Sequence, residues 1–238
     1  MITPHKFNLR RAGERGHANH GWLDSWHSFS FADYYDPAHM GFRSLRVIND
    51  DRIAGGGGFP THPHRDMEIF SYLLAGSLAH QDSLGNSRVL KPGEIQLMRA
   101  GTGVQHSEFN PSTRETAHLL QIWITPHTRG LTPAYSEWTP AIGHQNEVKT
   151  LVISADGRDQ SATIAQDASI YLLKLQAQTK TQHQLGAGRG LWLQVTKESL
   201  TVNSIQLVAG DAVSLEHPGE IEITTTTEAG EAILFDLG

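Results

Sequence analysis

Short apolar runs closed by turn residues, with no stretch of helical period among them, leave this chain few options other than a β architecture. Ser44 to Ile48, Glu68 to Leu74, Ile95 to Met98 and His118 to Ile124 are rich in Val, Ile, Leu or aromatics. Lys149 to Ile153, Ile170 to Leu175, Leu191 to Thr196, Leu200 to Asn203, Ala212 to Leu215, Ile221 to Thr226 and Ala232 to Asp236 continue the pattern. Gly, Pro, Asn or Asp closes most of these runs, as expected of strands separated by turns. Regularly spaced short strands predict an all-β barrel or sandwich. A length of 238 residues allows one large β domain or two smaller ones.

A weak internal repeat favours two. Leu74-Ala75-Gly76-Ser77-Leu78 leads through a turn to Lys91-Pro92-Gly93-Glu94, and Val195 to Leu200 leads to Val208-Ala209-Gly210-Asp211. Each copy pairs a strand-turn-strand unit with a Gly-acidic turn. The stretch from Pro126 to Asn146 holds Pro126, Pro133 and Pro140 and few apolar runs. It predicts a boundary, with an N-terminal domain over 1–135 and a C-terminal domain over 136–238.

Charge and composition narrow the function. With 19 basic and 25 acidic residues the net charge is -6, a poor match to nonspecific nucleic-acid or anionic-membrane binding. Arg10, Arg11 and Arg15 form the densest basic group and read as a solvated stretch. Cysteine is absent, which excludes disulfides, thiolate nucleophiles and Cys-based metal sites. The segment Met1 to Lys6 lacks the apolar core of a signal peptide, and no apolar run approaches the ~18 residues that span a bilayer. The expectation is a cytoplasmic protein.

Two polar clusters carry the chemistry: His62-Pro63-His64 and His106-Ser107-Glu108. Strand side chains alternate faces, so residues i and i+2 point the same way, about 6.6 Å apart at Cα. Two such pairs on facing strands would aim three imidazoles and a carboxylate at one point. That ligand set suits a redox-capable divalent metal. Spacing leaves the carboxylate open, because Glu68 has the same strand parity as His62 and His64. Glu108 is favoured, since from the opposite strand it would grip the ion from the other side. Glu68 would then be a supporting or rim carboxylate. The remaining histidines read as bland. His80, His118, His127, His144, His183 and His217 are expected to be satisfied polar residues; His5, His17, His20, His27 and His39 are expected at the surface or in packing. The segment from His20 to Phe31 is unusually aromatic and reads as β packing, with a planar-ligand pocket as the functional alternative.

The two clusters sit in a glycine frame. Gly56, His62, His64, Glu68 and Gly76 resemble the first motif of the cupin superfamily, with the last gap one residue longer than usual. Gly103, His106 and Asn110 resemble the second motif, with Gly101 where proline is usual. Within the cupins the chain resembles the pirins, of the kind tested as quercetinases. The similarity rests on the aromatic N-terminal segment, His62-Pro63-His64-Arg65, Ser71 to Gly76, Ala100-Gly101-Thr102-Gly103, His106-Ser107-Glu108 and Gln121-Ile122-Trp123. It covers nearly the whole chain.

The resemblance implies a bicupin whose N-terminal barrel alone holds metal, in agreement with the lack of His-x-His in the second repeat. Ordinary cupins take the first-motif glutamate as fourth ligand, here Glu68. Pirins take the carboxylate two residues after the second-motif histidine, here Glu108. The expected ligands are therefore His62, His64, His106 and Glu108, with Fe(II) the first choice and Mn, Ni, Co or Cu also suited. The implied reaction is quercetin 2,3-dioxygenase chemistry, in which a flavonol and dioxygen react with release of carbon monoxide and Glu108 accepts the 3-hydroxyl proton. The alternative is a non-catalytic metal-binding regulator that partners a transcription factor or a metabolic enzyme. Other chemistries lack support: Gly55 to Gly58 precedes no Gly-Lys-Ser/Thr, and no Gly-x-Ser-x-Gly occurs.

Overall fold

A computed structural model of the protein describes residues 7–140 and 147–238. The N-terminal segment 1–6 with His5, and 141–146 with His144, lie outside the described residues. The described chain is almost wholly strand, and its helical content is two single 3-10 turns, Ala12–Glu14 and Arg158–Gln160. No helix among the described residues is long and apolar enough to cross a membrane.

The chain forms two compact units. One is Arg15–Pro140 with Ala162–Gln166, and the rest of the described chain makes the other. This differs from a single cut between residues 135 and 136. Asn8–Arg10 pairs antiparallel with Ala212–Leu215, so the start of the chain supplies an edge strand to the second unit. An unpaired sheet edge exposes a row of backbone donors and acceptors, and this strand covers it.

The first unit is built from two sheets. A seven-stranded sheet runs in the order Ala134–Trp138, Ile95–Arg99, Glu68–Ala75, Ala117–Ile124, Leu45–Ile53, Leu23–His27, Gly16–Asn19. A four-stranded sheet runs in the order Gly58–His64, Val104–Phe109, Leu78–Asp82, Ser87–Leu90. Leu23, Ile53, Leu73, Ala117 and Leu119 from the larger sheet pack on Leu78 and Leu90 from the smaller one. Each buried Leu or Ile among them stabilises the fold by roughly 1.5–3 kcal/mol. Gly58–His64 lies at the edge of its sheet, which is where a strand containing Pro60 and Pro63 must lie, since proline has no amide to give to a ladder.

The second unit repeats the plan. The pairing of Gly58–His64 with Val104–Phe109 recurs as the pairing of Lys180–Leu185 with Gly219–Thr224. Its core gathers Leu185, Leu193, Val213, Ile221, Ile223 and Leu234, among others. The two runs expected at Leu191 to Thr196 and Leu200 to Asn203 are one strand, Gly190–Val202. The polar residues between them continue the strand through a bulge at Thr196, where the register shifts between Val195 and Lys197, and Glu198 takes φ 54°. The bend lets the first half pair with Gly230–Leu237 and the second half with Ile205–Val208.

Candidate metal centre

His62 and His106 are direct register partners on the antiparallel strands Gly58–His64 and Val104–Phe109. Between this pair and the next, Glu108 opposite Phe59, two residues (Pro60 and Thr61) stand against one (Ser107). The bulge leaves the Pro60 carbonyl to accept the Nδ1–H of His62 at 2.8 Å, so Nε2 of His62 carries the free lone pair. Gly58 is required here, because a Cβ would overlap the Glu108 carbonyl oxygen.

The three imidazoles converge. Ring centroids are 4.5 Å apart for His62 and His106, 4.7 Å for His62 and His64, and 4.9 Å for His64 and His106. One nitrogen from each lies within 4.8 Å of the other two, a spacing that can hold one ion. Nε2 of His106 is fully buried without a hydrogen-bond partner. An orphaned imidazole lone pair among two others is costly unless something accepts it, and a cation does so. Burial, then the neighbouring rings, lowers the pKa of His106 to about 3; burial, then His62, lowers that of His64 to about 4. Both rings are therefore neutral at physiological pH, the state a ligand needs.

Glu108 lies behind this triad, 1% exposed, in a second group with His106 and His80. Its Oε1 accepts from Ser71 Oγ at 3.1 Å and Gln96 Nε2 at 3.0 Å, and its Oε2 accepts from Gln121 Nε2 at 2.9 Å. These donors form a single row across the larger sheet, Gln121 opposite Ser71 and Ser71 opposite Gln96. Three of the roughly four lone-pair sites of the carboxylate are thus used, and one on Oε2 remains. Burial pushes the Glu108 pKa up to about 7, and the hydrogen bonds from Ser71 and Gln121 oppose it. A nearby cation would return it to the charged form.

Glu68 belongs to neither metal-competent group found among the described residues. It is fully buried and its Oε1 accepts from Arg99 Nε at 2.8 Å. Burial raises its pKa, and Arg99 opposes the shift.

A cavity of about 690 Å³ opens beside His62 and His64. Trp22, Phe31, Tyr34, Phe59 and Trp123 give it aromatic walls. Trp22 meets Phe59 edge-on at 5.1 Å, and Trp123 meets both Phe31, at 5.5 Å, and His64, at 4.9 Å. The aromatic N-terminal segment therefore serves both readings. Phe29 is core, whereas Trp26 projects from the other face of its strand and stacks on His17 at 4.1 Å. The cavity floor is polar. Asn49 and His27 extend the Gln96–Ser71–Gln121 row across two more strands, and His27 Nδ1 lies 2.7 Å from Asn49 Oδ1. Asp51, beside them, accepts from Ser25 Oγ; burial raises its pKa to about 7.

Sequence reasoning passed over several of these groups. His80 is not a bystander: it is buried, 5.3 Å from the His106 ring, and tied to Asp82. The signal was present, because His80-x-Asp82 has the same i, i+2 spacing as His62-x-His64. His17, His20 and His27, expected at the surface or in packing, line the cavity. Gly101 takes φ 47°, which proline cannot adopt, and a Cβ there would overlap the Leu131 carbonyl oxygen; this accounts for the departure from the cupin pattern.

The second unit lacks an equivalent centre among its described residues. Ile221 pairs with His183 in the position of His106 opposite His62, and two residues on from each stand Ile223 and Leu185, all three apolar residues buried. His183 gives Nε2 to Asp236 Oδ2 at 2.8 Å and takes Lys149 Nζ on Nδ1 at 2.9 Å.

Residues 7–124 match the pirin family model, and residues 151–237 match the quercetinase C-terminal cupin domain. The chain is 49% identical to a quercetin 2,3-dioxygenase of Escherichia coli K12, over 96% of this chain and 97% of that protein. The chain belongs to the pirin family. A pirin-like protein of Caulobacter vibrioides is 39% identical over 93% of this pirin and 95% of its own length. Among solved structures, the E. coli pirin YhhW in complex with nickel(II) superposes with a TM-score of 0.92 at 49% identity, covering 98% of this pirin and 99% of that chain. Two cupin domains in one chain, expected from the sequence, are the architecture of this family member.

Proposed function

We propose that this pirin is a metal-dependent dioxygenase that cleaves a flavonol of the quercetin type, with His62, His64, His106 and Glu108 as ligands of one divalent ion in the first unit. The buried, partnerless Nε2 of His106, gathered with two other imidazoles beside an aromatic cavity, carries this reading. Fe(II) is the first choice for three imidazoles and a carboxylate, and Ni, Mn, Co and Cu suit the same set. The nickel(II) complex of a 49% identical pirin supports a divalent ion of this class. A cavity of about 690 Å³ falls within the roughly 300–1,000 Å³ usual for small-molecule sites.

The ion would supply Lewis acidity and a redox couple. The protein's own groups do the rest. Trp22, Phe59 and Trp123 hold a planar polycyclic ring by face and edge contacts. Glu108 has one lone pair left on Oε2, which would serve either the ion or a proton, and it accepts the proton of the flavonol 3-hydroxyl in exchange for its ligand role. Ser71, Gln96 and Gln121 then hold the carboxyl in place through the proton transfer. Net reaction with dioxygen opens the ring and releases carbon monoxide.

The test is loss of flavonol absorbance on incubating iron-loaded protein with quercetin in air. Saturable turnover that stops on chelation and is absent in His106→Ala supports the enzyme. A flat trace with metal bound favours a non-catalytic regulator. Full turnover by the metal-free variant would refute the reading.

A further inference from the structure

We infer that Asp82 and His80 form a buried relay that fixes which nitrogen of His106 carries its proton, and so presents Nε2 to the metal. This rests on the reading of His106 as a metal ligand.

The chain of hydrogen bonds favours one assignment, which Asp82 sets. Asp82 is held rigidly: its Oδ1 accepts from the backbone amides of Leu84 at 2.9 Å and Asn86 at 3.0 Å, and the Asn86 side chain donates to both oxygens. Its Oδ2 faces His80 Nε2 at 3.3 Å, which places the His80 proton on Nε2. A second group demands the same tautomer. Gln96 Nε2 donates one hydrogen to Glu108 and the other to His80 Nδ1, at 2.9 Å, so that nitrogen must accept. His80 Nδ1 also faces His106 Nδ1 at 3.5 Å. The one lone pair of His80 Nδ1 is engaged by Gln96, and with no proton there His80 cannot donate to His106. A bare His106 Nδ1 would set two lone pairs face to face, so the His106 proton is favoured on Nδ1 and Nε2 is left bare, the buried atom with no partner. His62 reaches the same state by a shorter route, through the Pro60 carbonyl. A metal-binding imidazole is commonly oriented by a partner on its other nitrogen, and loss of such a partner typically costs 10–100-fold in metal affinity.

Asp82→Asn separates this role from packing. The two backbone amides on Oδ1 hold the new carboxamide with its oxygen toward them, so its NH₂ turns to His80 Nε2 and the Asn86 amide keeps only its bond to the oxygen. That pushes the His80 proton to Nδ1, opposes Gln96, and drives the His106 proton to Nε2. His80→Leu instead removes the ring and leaves both His106 tautomers open. The experiment measures Ni(II) affinity by calorimetry for wild type, Asp82→Asn and His80→Leu. It also reads the ¹⁵N shifts of the His106 ring in metal-free protein. The relay predicts Nδ1-protonated His106 in wild type, Nε2-protonated His106 in Asp82→Asn, and a 10–100-fold loss of affinity in Asp82→Asn that exceeds the loss in His80→Leu. A packing role predicts the reverse order, since His80→Leu is the larger change. Wild-type affinity in Asp82→Asn, or an Nε2-protonated His106 in metal-free wild type, would overturn the inference. Failure of wild type to bind Ni(II) would instead sink the metal reading of the site, and the ¹⁵N spectra would still decide the relay.

Discussion

His62 and His106 face one another across one rung of an antiparallel ladder, with ring centroids 4.5 Å apart. The same rung in the second unit joins His183 to Ile221. One fold position thus holds a pair of facing histidines in one unit and a histidine against core in the other. Removing either partner in the first unit breaks the triad. His62→Ala and His106→Ala should each lower metal content to background and abolish flavonol turnover, read by elemental analysis and absorbance.

The aromatic cavity is a separate lever. Trp22 meets Phe59 edge-on at 5.1 Å and lies in the bend before Leu23–His27, outside the strands that carry the proposed ligands. Trp22→Ala should raise the KM for a flavonol about tenfold, in keeping with the roughly 0.5–1.5 kcal/mol of an aromatic pair plus lost contact area. Metal content should not change. A KM equal to wild type would remove Trp22 from substrate binding.

Asp51 makes a prediction about pH. Its carboxyl is raised from 3.8 to about 7 by burial, so the folded state holds its proton more tightly than the unfolded chain does. Its contribution to stability is therefore fully present below about pH 4 and is lost as pH rises through about 7. The loss is at most about 4 kcal/mol, at roughly 1.4 kcal/mol per unit. Asp51→Asn keeps an acceptor for Ser25 and removes the ionisation. Urea unfolding of metal-free protein should show the variant gaining on wild type between pH 5 and pH 8; parallel curves would contradict this.

Gly101 tests the backbone frame. Its φ of 47° and its approach to the Leu131 carbonyl leave no room for a proline. Gly101→Pro should cost at least ~3 kcal/mol in unfolding free energy, measured by denaturant titration.

Much of this was legible in the sequence because strand periodicity is local. His62-x-His64 and His106-x-Glu108 declare shared faces by spacing, and Gly56 and Gly103 stand just ahead of the strands that carry them. Register is not local. The row Gln96–Ser71–Gln121–Asn49–His27 crosses five strands distant in sequence, and nothing in any one strand marks it. The same holds for His80, whose Asp82 partner was in view but whose place behind His106 depends on the pairing of Leu78–Asp82 with Val104–Phe109. The long strand Gly190–Val202 was hidden for another reason: the polar run Thr196 to Ser199, which bulges at Thr196, carries the residues of a turn.

Three imidazoles and Glu108 are proposed to hold one ion. The most direct test is calorimetric titration of metal-stripped protein with Ni(II). One ion per chain is expected, lost in His106→Ala and Glu108→Ala and kept in Glu68→Gln. No binding by wild type, or binding that survives in Glu108→Ala and disappears in Glu68→Gln, would contradict it.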